Sequence, residues 1–489
     1  MKKLDIKNIK TLGQLKASGY QTKSIKDEVR DNLIAKIKTG DNSYEGILGF
    51  EDTVIPDLER ALLSRHNILL LGLRGQAKTR IARLTTGLLD DYIPVITGSD
   101  LNDDPFNPIS TSALDIIAEH GDDTPINWIS AEDRYVEKLA TPDVSIADLI
   151  GDVDPIKAAT LKLPYSDPRV IHHGLIPRSH RSIFVLNEIP DLQPRIQVAL
   201  FNILQEGDMQ IRGFKLRLPL DVIFIFTANP EDYTNRGSII TPLKDRIESQ
   251  ILTHYPTSIE IAKKITEQEA LINPELKDKI VVPEMIKDLL ETIVFEARES
   301  ELIDEKSGVS ARLSISAMEN LYSSIERRML INGEETGTAR MSDLWGIIPS
   351  ITGKVELVYE GEQEGPYSVA LSLMTSAIRK LFLKQFEHPD RSVKLGEKDP
   401  YGTLRAWFSA GNEVHLPNDL ADVTYIKTLE AIPGIEKVLK NHSLDKENKH
   451  LNMEFLLHGL AEMEAISKNV VNQSLTFSDP LAGMLNDLN

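Results

Sequence analysis

The stretch Asn67–Arg80, NILLLGLRGQAKTR, decides the fold of this chain. An apolar run ends at Gly72, and a loop with a second glycine, Gly75, leads to Lys78 and Thr79. A buried strand, a glycine-rich turn and the start of a helix, in this order, are typical of a phosphate-binding loop. In such a loop the backbone N–H groups and the positive end of the helix dipole face the phosphates. The stretch therefore predicts a nucleotide-binding α/β core.

The loop departs from the pattern GxxxxGK[ST] at one position, because Ala77 stands where the second glycine is expected. Alanine adopts a positive φ less readily than glycine, but at the first turn of a helix a positive φ is not expected to be needed. Lys78 is predicted to reach the β and γ phosphates, and the Thr79 hydroxyl to ligate Mg²⁺. The candidate nucleotide-binding residues are Gly72, Gly75, Gln76, Ala77, Lys78, Thr79 and Arg80.

Length and composition predict a globular protein of several domains. The chain has 489 residues, of which 41% are hydrophobic and 26% charged. It has no run near the roughly 18 apolar residues that a membrane helix needs, and its first residues have no uninterrupted apolar core like that of a secretory signal. Cysteine is absent, which excludes disulfides, thiolate metal sites and a cysteine nucleophile. These features fit a cytoplasmic protein with no membrane span.

The net charge of −19 argues against broad, non-specific binding to nucleic acid. Such binding relies on many contacts from lysine and arginine to phosphate. A local basic groove stays open as an alternative, and the plainer interpretation of the acidity is solubility. Nucleic acid is therefore not an expected partner.

The stretch Ser182–Glu188, SIFVLNE, resembles a Walker B motif, in which an apolar strand ends in Asp-Glu. Glu188 retains the glutamate, whereas Asn187 replaces the aspartate. A side chain at this strand tip would hold a water ligand of Mg²⁺ or polarise the attacking water. Asn187 can still accept a hydrogen bond but brings no charge. The candidate metal-site residues are Thr79 and Asn187.

Three further residues are candidates for the chemistry of phosphate transfer. Asn229 ends a buried strand and would lie level with Glu188, where an amide can orient the attacking water. Arg246, which precedes the last strand, Ser249–His254, can reach a neighbouring subunit's γ-phosphate as an arginine finger. Arg312 begins a helix, where its charge opposes the dipole, so a positional role is plausible. The four candidate catalytic residues are Glu188, Asn229, Arg246 and Arg312.

The order of these motifs resembles that of AAA+ ATPases, and two phrases resemble the MoxR and magnesium-chelatase ATPase-subunit group. They are HGLIPRSHRSIFVLNE, ending at Glu188, and LKDR, ending at Arg246. The resemblance covers about residues 45–350. It implies ATP and Mg²⁺ as ligands, and a homo-oligomeric ring, usually a hexamer. It also implies a partner protein with a von Willebrand A domain.

The resemblance also implies a domain organisation. Residues 46–255 would form an α/β core with a five-stranded parallel sheet between helices, preceded by a helical extension at residues 1–45. Within the core, Tyr92–Ile96 is predicted as the second strand, residues near 150–177 as an insertion, and residues 209–218 as a β-hairpin. Residues 256–350 would form an α-helical lid. Residues 351–489 are predicted to be mostly helical, without a recognisable motif and with a loose tail from Thr476.

Alternatives to a partner-remodelling ATPase remain open at this point. Asn187 and Ala77 favour a nucleotide-gated assembly scaffold with little hydrolysis. The resemblance also allows the ATPase subunit of a metal chelatase. A transcription activator on the same core is disfavoured, because the enhancer-binding activators carry a GAFTGA loop that this sequence lacks.

Overall fold

The computed structural model describes residues 8–165, 167–206, 218–230, 238–390, 399–440, 442, 446–471 and 474–480. The chain divides into two compact units, Met1–His254 and Tyr255–Asn489. The hairpin predicted at residues 209–218 lies outside the described residues, apart from Leu218. In the described part of the chain, no helix is both long enough and apolar enough to cross a membrane.

Strands and helices are numbered here in chain order. The strands are β1 Ile68–Leu71, β2 Tyr92–Ile96, β3 Ile126–Ser130, β4 Tyr135–Leu139, β5 Gly151–Val153, β6 Ile171–His173, β7 Ser182–Asn187, β8 Val222–Ala228, β9 Ser249–Leu252, β10 Ile280–Val281, β11 Gly337–Thr338, β12 Val414–Pro417, β13 Ser467–Val471 and β14 Ser474–Ser478.

The helices of the first unit are α1 Leu12–Ala17, α2 Ile25–Thr39, α3 Val54–Leu63, α4 Lys78–Leu84, α5 Thr111–His120, α6 Ile146–Leu149, α7 Pro155–Leu161, α8 Leu175–Arg178, α9 Pro194–Glu206 and α10 Thr241–Lys244. Those of the second unit are α11 Ile259–Glu269, α12 Pro274–Lys279, α13 Glu284–Glu299, α14 Arg312–Asn332, α15 Ile348–Thr352, α16 Tyr359–Glu364, α17 Pro366–Gln385, α18 Gly402–Ser409, α19 Asp422–Glu430, α20 Ile435–Leu439 and α21 Lys449–Glu462.

The first unit is built on a five-stranded parallel sheet with the order β4-β7-β8-β1-β9. β1 lies between β8 and β9, with Leu71 level with Ala228 and Leu252. After β1 the chain forms β4, β7 and β8, which all lie on one side of β1 in the sheet. It then adds β9 on the other side of β1. Parallel sheets bind ligands beyond the carboxyl ends of their strands at such a switch point. The predicted phosphate-binding loop follows β1 at this point.

Both faces of the sheet are apolar because alternate side chains of a strand point to opposite faces. Ile68 and Leu70 of β1 pack on one face with the buried side chains of α2 and α3. Leu69 packs on the other face with Phe184, Phe224 and the buried side chains of α9. Because helices cover both faces of the sheet, the side chains on both faces are buried, and the sequences of these strands are continuous apolar runs.

The edge strand of the parallel sheet is a stretch that was not predicted to be a strand. Tyr92–Ile96 is a strand, but it pairs antiparallel with β3 outside the central sheet. Tyr135–Leu139 pairs with β7 instead and forms the edge of the parallel sheet, with Leu139 level with Asn187. The polar and apolar mixture of this stretch gave no clear strand signal. The segment assigned to an insertion forms a separate antiparallel pair, β5 and β6, joined through α7.

The N-terminal helix α2 is joined to the sheet unit by a buried ion pair. Arg134 donates two hydrogen bonds of 2.7 Å to the carboxylate of Glu28, and a third of 2.8 Å to the carbonyl of Arg181. The backbone N–H of Asp90 donates to the same carboxylate at 2.6 Å. The side chains of Arg134 and Glu28 are 0% and 6% exposed. Such a pair is costly to break on one side, because a buried charge then loses its partner.

The second unit combines helices with a small antiparallel sheet of order β12-β14-β13. Helices occupy the ranges predicted for the lid, with α14 beginning at Arg312 as expected. The loose tail predicted from Thr476 is wrong at its start, because Ser474–Ser478 is the central strand of this sheet. Leu475 and Phe477 are buried there, at 1% and 0% exposure. Their alternation with polar residues was a strand signal within an otherwise polar terminus.

We expect Glu28→Gln to lower the free energy of unfolding by about 3 kcal/mol or more, because it leaves the Arg134 guanidinium buried without a counter-charge. Urea unfolding monitored by circular dichroism measures this change. Asp122→Asn is the matched control, since Asp122 pairs with Lys16 at 2.6 Å while both side chains are more than half exposed. The control should cost less than about 1 kcal/mol. Equal losses in the two variants would contradict a structural role for the buried pair.

Candidate nucleotide-binding site

The loop between β1 and α4 has the backbone of a phosphate-binding turn. Gly75 has a φ of 73°. Gly72 is buried against the Thr253 hydroxyl and the Gln76 amide, and a Cβ at this position would overlap both. The Thr253 hydroxyl donates to Gln76 Oε1 at 2.7 Å, which ties the loop to the end of β9. Glycine at 72 is therefore required for the close approach of β9 to the loop.

Ala77 departs from the expectation that its position needs no positive φ. Its φ is 54° and its ψ is 15°, which places it in the left-handed region immediately before α4. The glycine of the usual pattern therefore has a conformational role here, and alanine carries the strain. For a residue with a Cβ this conformation costs roughly 1–2 kcal/mol.

Lys78 is held at the mouth of the loop by three oxygen atoms. Its ammonium group donates to the carbonyl of Gly72, to the carbonyl of Leu73 at 2.9 Å and to Asn229 Oδ1 at 2.8 Å. Asn229 directly follows β8 and is 7% exposed. The structure thus brings together Lys78 and Asn229, which the sequence assigned to the site separately. The contact holds the ammonium group beside the loop.

Asn187 lies at the centre of a hydrogen-bond network at the end of β7. Its Oδ1 accepts from the hydroxyl of Thr79 at 3.3 Å and from that of Thr227 at 3.1 Å. Its Nδ2 donates to Glu137 Oε1 at 2.7 Å. The two candidate metal-site residues are therefore in direct contact. Sequence reasoning missed Glu137, because its strand was not predicted to border β7.

The Glu137 carboxylate is held as an anion by its neighbours. Burial would raise its pKa, but hydrogen bonds from Arg83, Tyr135 and Asn187 outweigh burial and keep the pKa below its ordinary value. Arg83 Nη2 lies 2.8 Å from Glu137 Oε2, and the Tyr135 hydroxyl donates to the same oxygen at 2.9 Å. A carboxylate charge is thus present beside Asn187, although it comes from the neighbouring strand.

Glu188 follows Asn187 directly and has a strained backbone. Its φ is 56° and its ψ is 48°, the left-handed region, and its N–H donates to the Thr227 hydroxyl at 3.1 Å. Non-glycine residues held in this region cost energy that the surrounding structure must supply, and they concentrate at functional sites. Here the strain turns the chain sharply at the strand end, beside Thr79 and Asn187.

Of the two candidate catalytic arginines, Arg246 belongs to the first unit and Arg312 to the second. Arg246 follows α10, and its guanidinium lies 3.9 Å from the centre of the Phe201 ring and donates to the carbonyl of Pro242 at 2.8 Å. Arg312 is the exposed first residue of α14 in the second unit. Arg80 is exposed on α4. The roles assigned to these three arginines stay predictions.

The donor set at the loop fits a magnesium–nucleotide ligand. Thr79 and Asn187 offer a hydroxyl and an amide oxygen, which are hard ligands of the kind that Mg²⁺ accepts. Because the Thr79 hydroxyl donates a hydrogen bond to Asn187 Oδ1, its lone pairs are left for a cation. Lys78 supplies positive charge, and α4 begins at the loop, where its first N–H groups are donors for a phosphate.

Comparison with known proteins gives one family match and several distant structural similarities. Residues 164–251 match the model of the sigma-54 interaction domain. The chain is similar to NtrX from Brucella abortus, with 16% identity over 59% of this chain and 55% of NtrX and a TM-score of 0.33. It is similar to Hsp104 bound to ATPγS and casein, with 15% identity over 67% of this chain and 53% of that one and a TM-score of 0.38.

A third similarity is to a model of the complex between the BchI and BchD subunits of magnesium chelatase. Identity is 18% over 66% of this chain and 98% of that one, with a TM-score of 0.34. The chain thus spans only about half of NtrX and Hsp104, at 55% and 53%. With identities and TM-scores this low, the similarities show no shared activity.

The fold class predicted from the sequence is confirmed. The first unit has a parallel five-stranded sheet between helices, and a largely helical unit follows it in the sequence, as the α/β prediction requires. The narrower placement in the MoxR and magnesium-chelatase group stays a prediction.

We expect Ala77→Gly to stabilise the protein by up to about 1 kcal/mol, because glycine relieves the left-handed strain while losing more backbone entropy on folding. Ala35→Gly is the matched control, since Ala35 is exposed within α2 and the same change in a regular helix costs about 1 kcal/mol. Urea unfolding of both variants compares the signs. A loss in Ala77→Gly as large as that in Ala35→Gly would contradict the strain.

Proposed function

We propose that this protein is an AAA+ ATPase that binds and hydrolyses ATP within a homo-oligomeric ring and remodels or activates a partner protein. The observation that carries the proposal is the convergence of Lys78, Thr79, Asn187, Glu188 and Asn229 at the carboxyl ends of β1, β7 and β8. These side chains come from three separate stretches of sequence, and all except Asn187, which replaces an aspartate, are of the type that phosphoryl transfer needs at their positions.

The proposed reaction assigns one task to each group. The loop N–H groups and Lys78 bind the β and γ phosphates and offset their charge. Mg²⁺, when bound through Thr79, would neutralise the charge that develops on the phosphate oxygens. Glu188 accepts the proton of the attacking water as general base. Since Asn229 Oδ1 faces Lys78 at 2.8 Å, the Nδ2 end of its amide is the one that can orient this water.

Completion of the site by a second subunit would explain the position of Arg246. In the proposed ring, a hexamer by resemblance, Arg246 of one subunit stabilises the γ-phosphate held by its neighbour, and Arg312 senses the same phosphate. A von Willebrand A-domain protein is the proposed partner, on the resemblance alone. The ATPase subunit of a metal chelatase is the variant of this proposal that the same resemblance supports.

Two other functions have an observation in their favour. Asn187 brings no charge to the strand end, which favours a nucleotide-gated scaffold with little turnover. The family match at residues 164–251 favours a transcription activator, although the sequence lacks the GAFTGA loop and has a net charge of −19. A scaffold would bind ATP and assemble without turnover, and an activator would bind DNA tightly in a gel-shift assay at low salt.

We expect Glu188→Gln to reduce steady-state ATP turnover by about 100-fold or more while ATP binding persists, because the general base is lost and the loop is unchanged. Glu119→Gln is the matched control, since Glu119 is exposed on α5 away from the loop. Phosphate release and fluorescent-nucleotide binding measure the two properties. Equal turnover in Glu188→Gln and the wild type would contradict the assigned base.

We expect Arg246→Ala to lose turnover while retaining ATP binding, because the arginine acts on a neighbour's nucleotide. Mixing Arg246→Ala with Glu188→Gln tests this action in trans. Mixed rings contain interfaces that combine the intact Glu188 of one subunit with the intact Arg246 of the other. Turnover of the mixture should therefore exceed that of either variant alone. No gain on mixing, with mixed assembly verified by size-exclusion chromatography, would contradict a role in trans.

A further inference from the structure

β4, the strand beside β7, supplies the carboxylate that the carboxyl end of β7 lacks. Glu137 lies on β4, two residues before Leu139, which is level with Asn187. Side chains two residues apart on a strand share one face of the sheet. Glu137 Oε1 therefore reaches Asn187 Nδ2, at 2.7 Å. An aspartate at 187 would occupy this position beside the same carboxylate.

The contact with Glu137 decides how the Asn187 amide is turned. An ionised carboxylate only accepts hydrogen bonds, so it faces the amide nitrogen and leaves the oxygen for the opposite side. Oδ1 then accepts the proton of the Thr79 hydroxyl at 3.3 Å and that of Thr227 at 3.1 Å. A reversed amide would set two oxygens against each other and a nitrogen against Thr79.

Glu137 is itself fixed in place. Its second oxygen, Oε2, lies 2.8 Å from Arg83 Nη2 and 2.9 Å from the Tyr135 hydroxyl. The Arg83 guanidinium also lies over the Tyr135 ring, 5.8 Å from its centre. With Oε2 held on one side, Oε1 is left directed at Asn187. The order of contacts, from Arg83 to Glu137 to Asn187 to Thr79, forms one connected chain.

We infer that Glu137 is a positioning residue, and that Glu137 and Asn187 together replace the Walker B aspartate. Glu137 holds the amide so that Asn187 Oδ1 accepts a hydrogen bond from the Thr79 hydroxyl, which leaves the Thr79 lone pairs for a metal ion. The inference rests on the proposed function, because it concerns the metal ion of the same nucleotide site.

This arrangement means that a single substitution does not restore the usual motif. Asn187→Asp would bring a second carboxylate to hydrogen-bonding distance of Glu137, and like charges so close disfavour each other. When Asn187→Asp is combined with Glu137→Gln, the new aspartate faces an uncharged amide. It would then accept hydrogen bonds both from that amide and from Thr79. The effect of an aspartate at 187 therefore depends on the residue at 137.

A double-mutant cycle tests this dependence with the full chain. The four proteins are the wild type, Asn187→Asp, Glu137→Gln and the double variant. The measured quantity is Mn²⁺ affinity of the protein–ADP complex, followed by electron paramagnetic resonance. ADP affinity without metal is measured in EDTA. Partners of metal ligands typically change metal affinity by about 10-fold or more.

We expect Asn187→Asp to tighten Mn²⁺ binding by about 10-fold in the Glu137→Gln background and by less than about 3-fold in the wild-type background. Metal-free ADP affinity should change by less than about 3-fold throughout, because the loop is untouched. Glu132→Gln is the control background, since Glu132 is exposed and precedes β4 on the same stretch. In that background Asn187→Asp should act as it does in the wild type.

Equal effects of Asn187→Asp in the wild-type and Glu137→Gln backgrounds would overturn the inference while leaving the ATPase proposal intact. Absence of ADP binding by the wild type, with or without metal, would overturn both. If Glu137→Gln does not fold, Glu137→Ser removes the same charge and takes its place in the cycle. Coupling between positions 137 and 187 in metal affinity alone is the result that supports the inference.

Discussion

The site depends on the parallel pairing of β1 with β8 and of β8 with β7. The strands run in the same direction, so their carboxyl ends lie together on one side of the sheet. The loop after Leu71 and the polar residues Asn187 and Asn229 therefore meet on that side. Apolar side chains on both faces pack against helices, and a slip of one residue would move each side chain to the opposite face and disrupt this packing. Hydrogen bonds across 108 and 151 residues of sequence follow from this pairing.

Backbone strain is concentrated where the strands end. Ala77 and Glu188 both adopt left-handed conformations, one before α4 and one after β7. Each turns the chain sharply, so that the loop N–H groups and the Glu188 side chain emerge at the sheet edge. The Thr227 hydroxyl accepts from Glu188 N–H and donates to Asn187, which couples the strained turn to the metal-site residues. The rigid sheet supplies the energy for this strain.

Polar groups inside the first unit have two distinct purposes. The Glu28–Arg134 ion pair is buried, and the remaining hydrogen bond of Arg134 goes to the Arg181 carbonyl, so the pair stabilises the fold. The chain of contacts from Arg83 through Glu137 and Asn187 leads instead from the surface to Thr79. Arg83 is 66% exposed, whereas Arg134 is 0% exposed. Burial thus separates a pair that holds the fold from a network that orients a site.

The sequence by itself determined the loop and the helical character of the second unit. It also determined four strands of the central sheet, β1, β7, β8 and β9. Local signals suffice for these, because a strand–glycine loop–helix order and an apolar run are properties of neighbouring residues. It also placed the candidate residues Lys78, Thr79, Glu188 and Asn229 near strand ends, since their motifs have characteristic positions relative to strands. Only the tertiary structure decided which strand lies beside β7, and hence that Glu137 faces Asn187.

The tertiary structure likewise decided that Ala77 is left-handed and that Ser474–Ser478 is a central strand. Strand order and side-chain contacts join residues far apart in the chain, and their energies do not appear in local periodicity. In the sequence, asparagine in place of aspartate at position 187 is the loss of a negative charge. In the folded protein, the Glu137 carboxylate lies 2.7 Å from the Asn187 amide nitrogen.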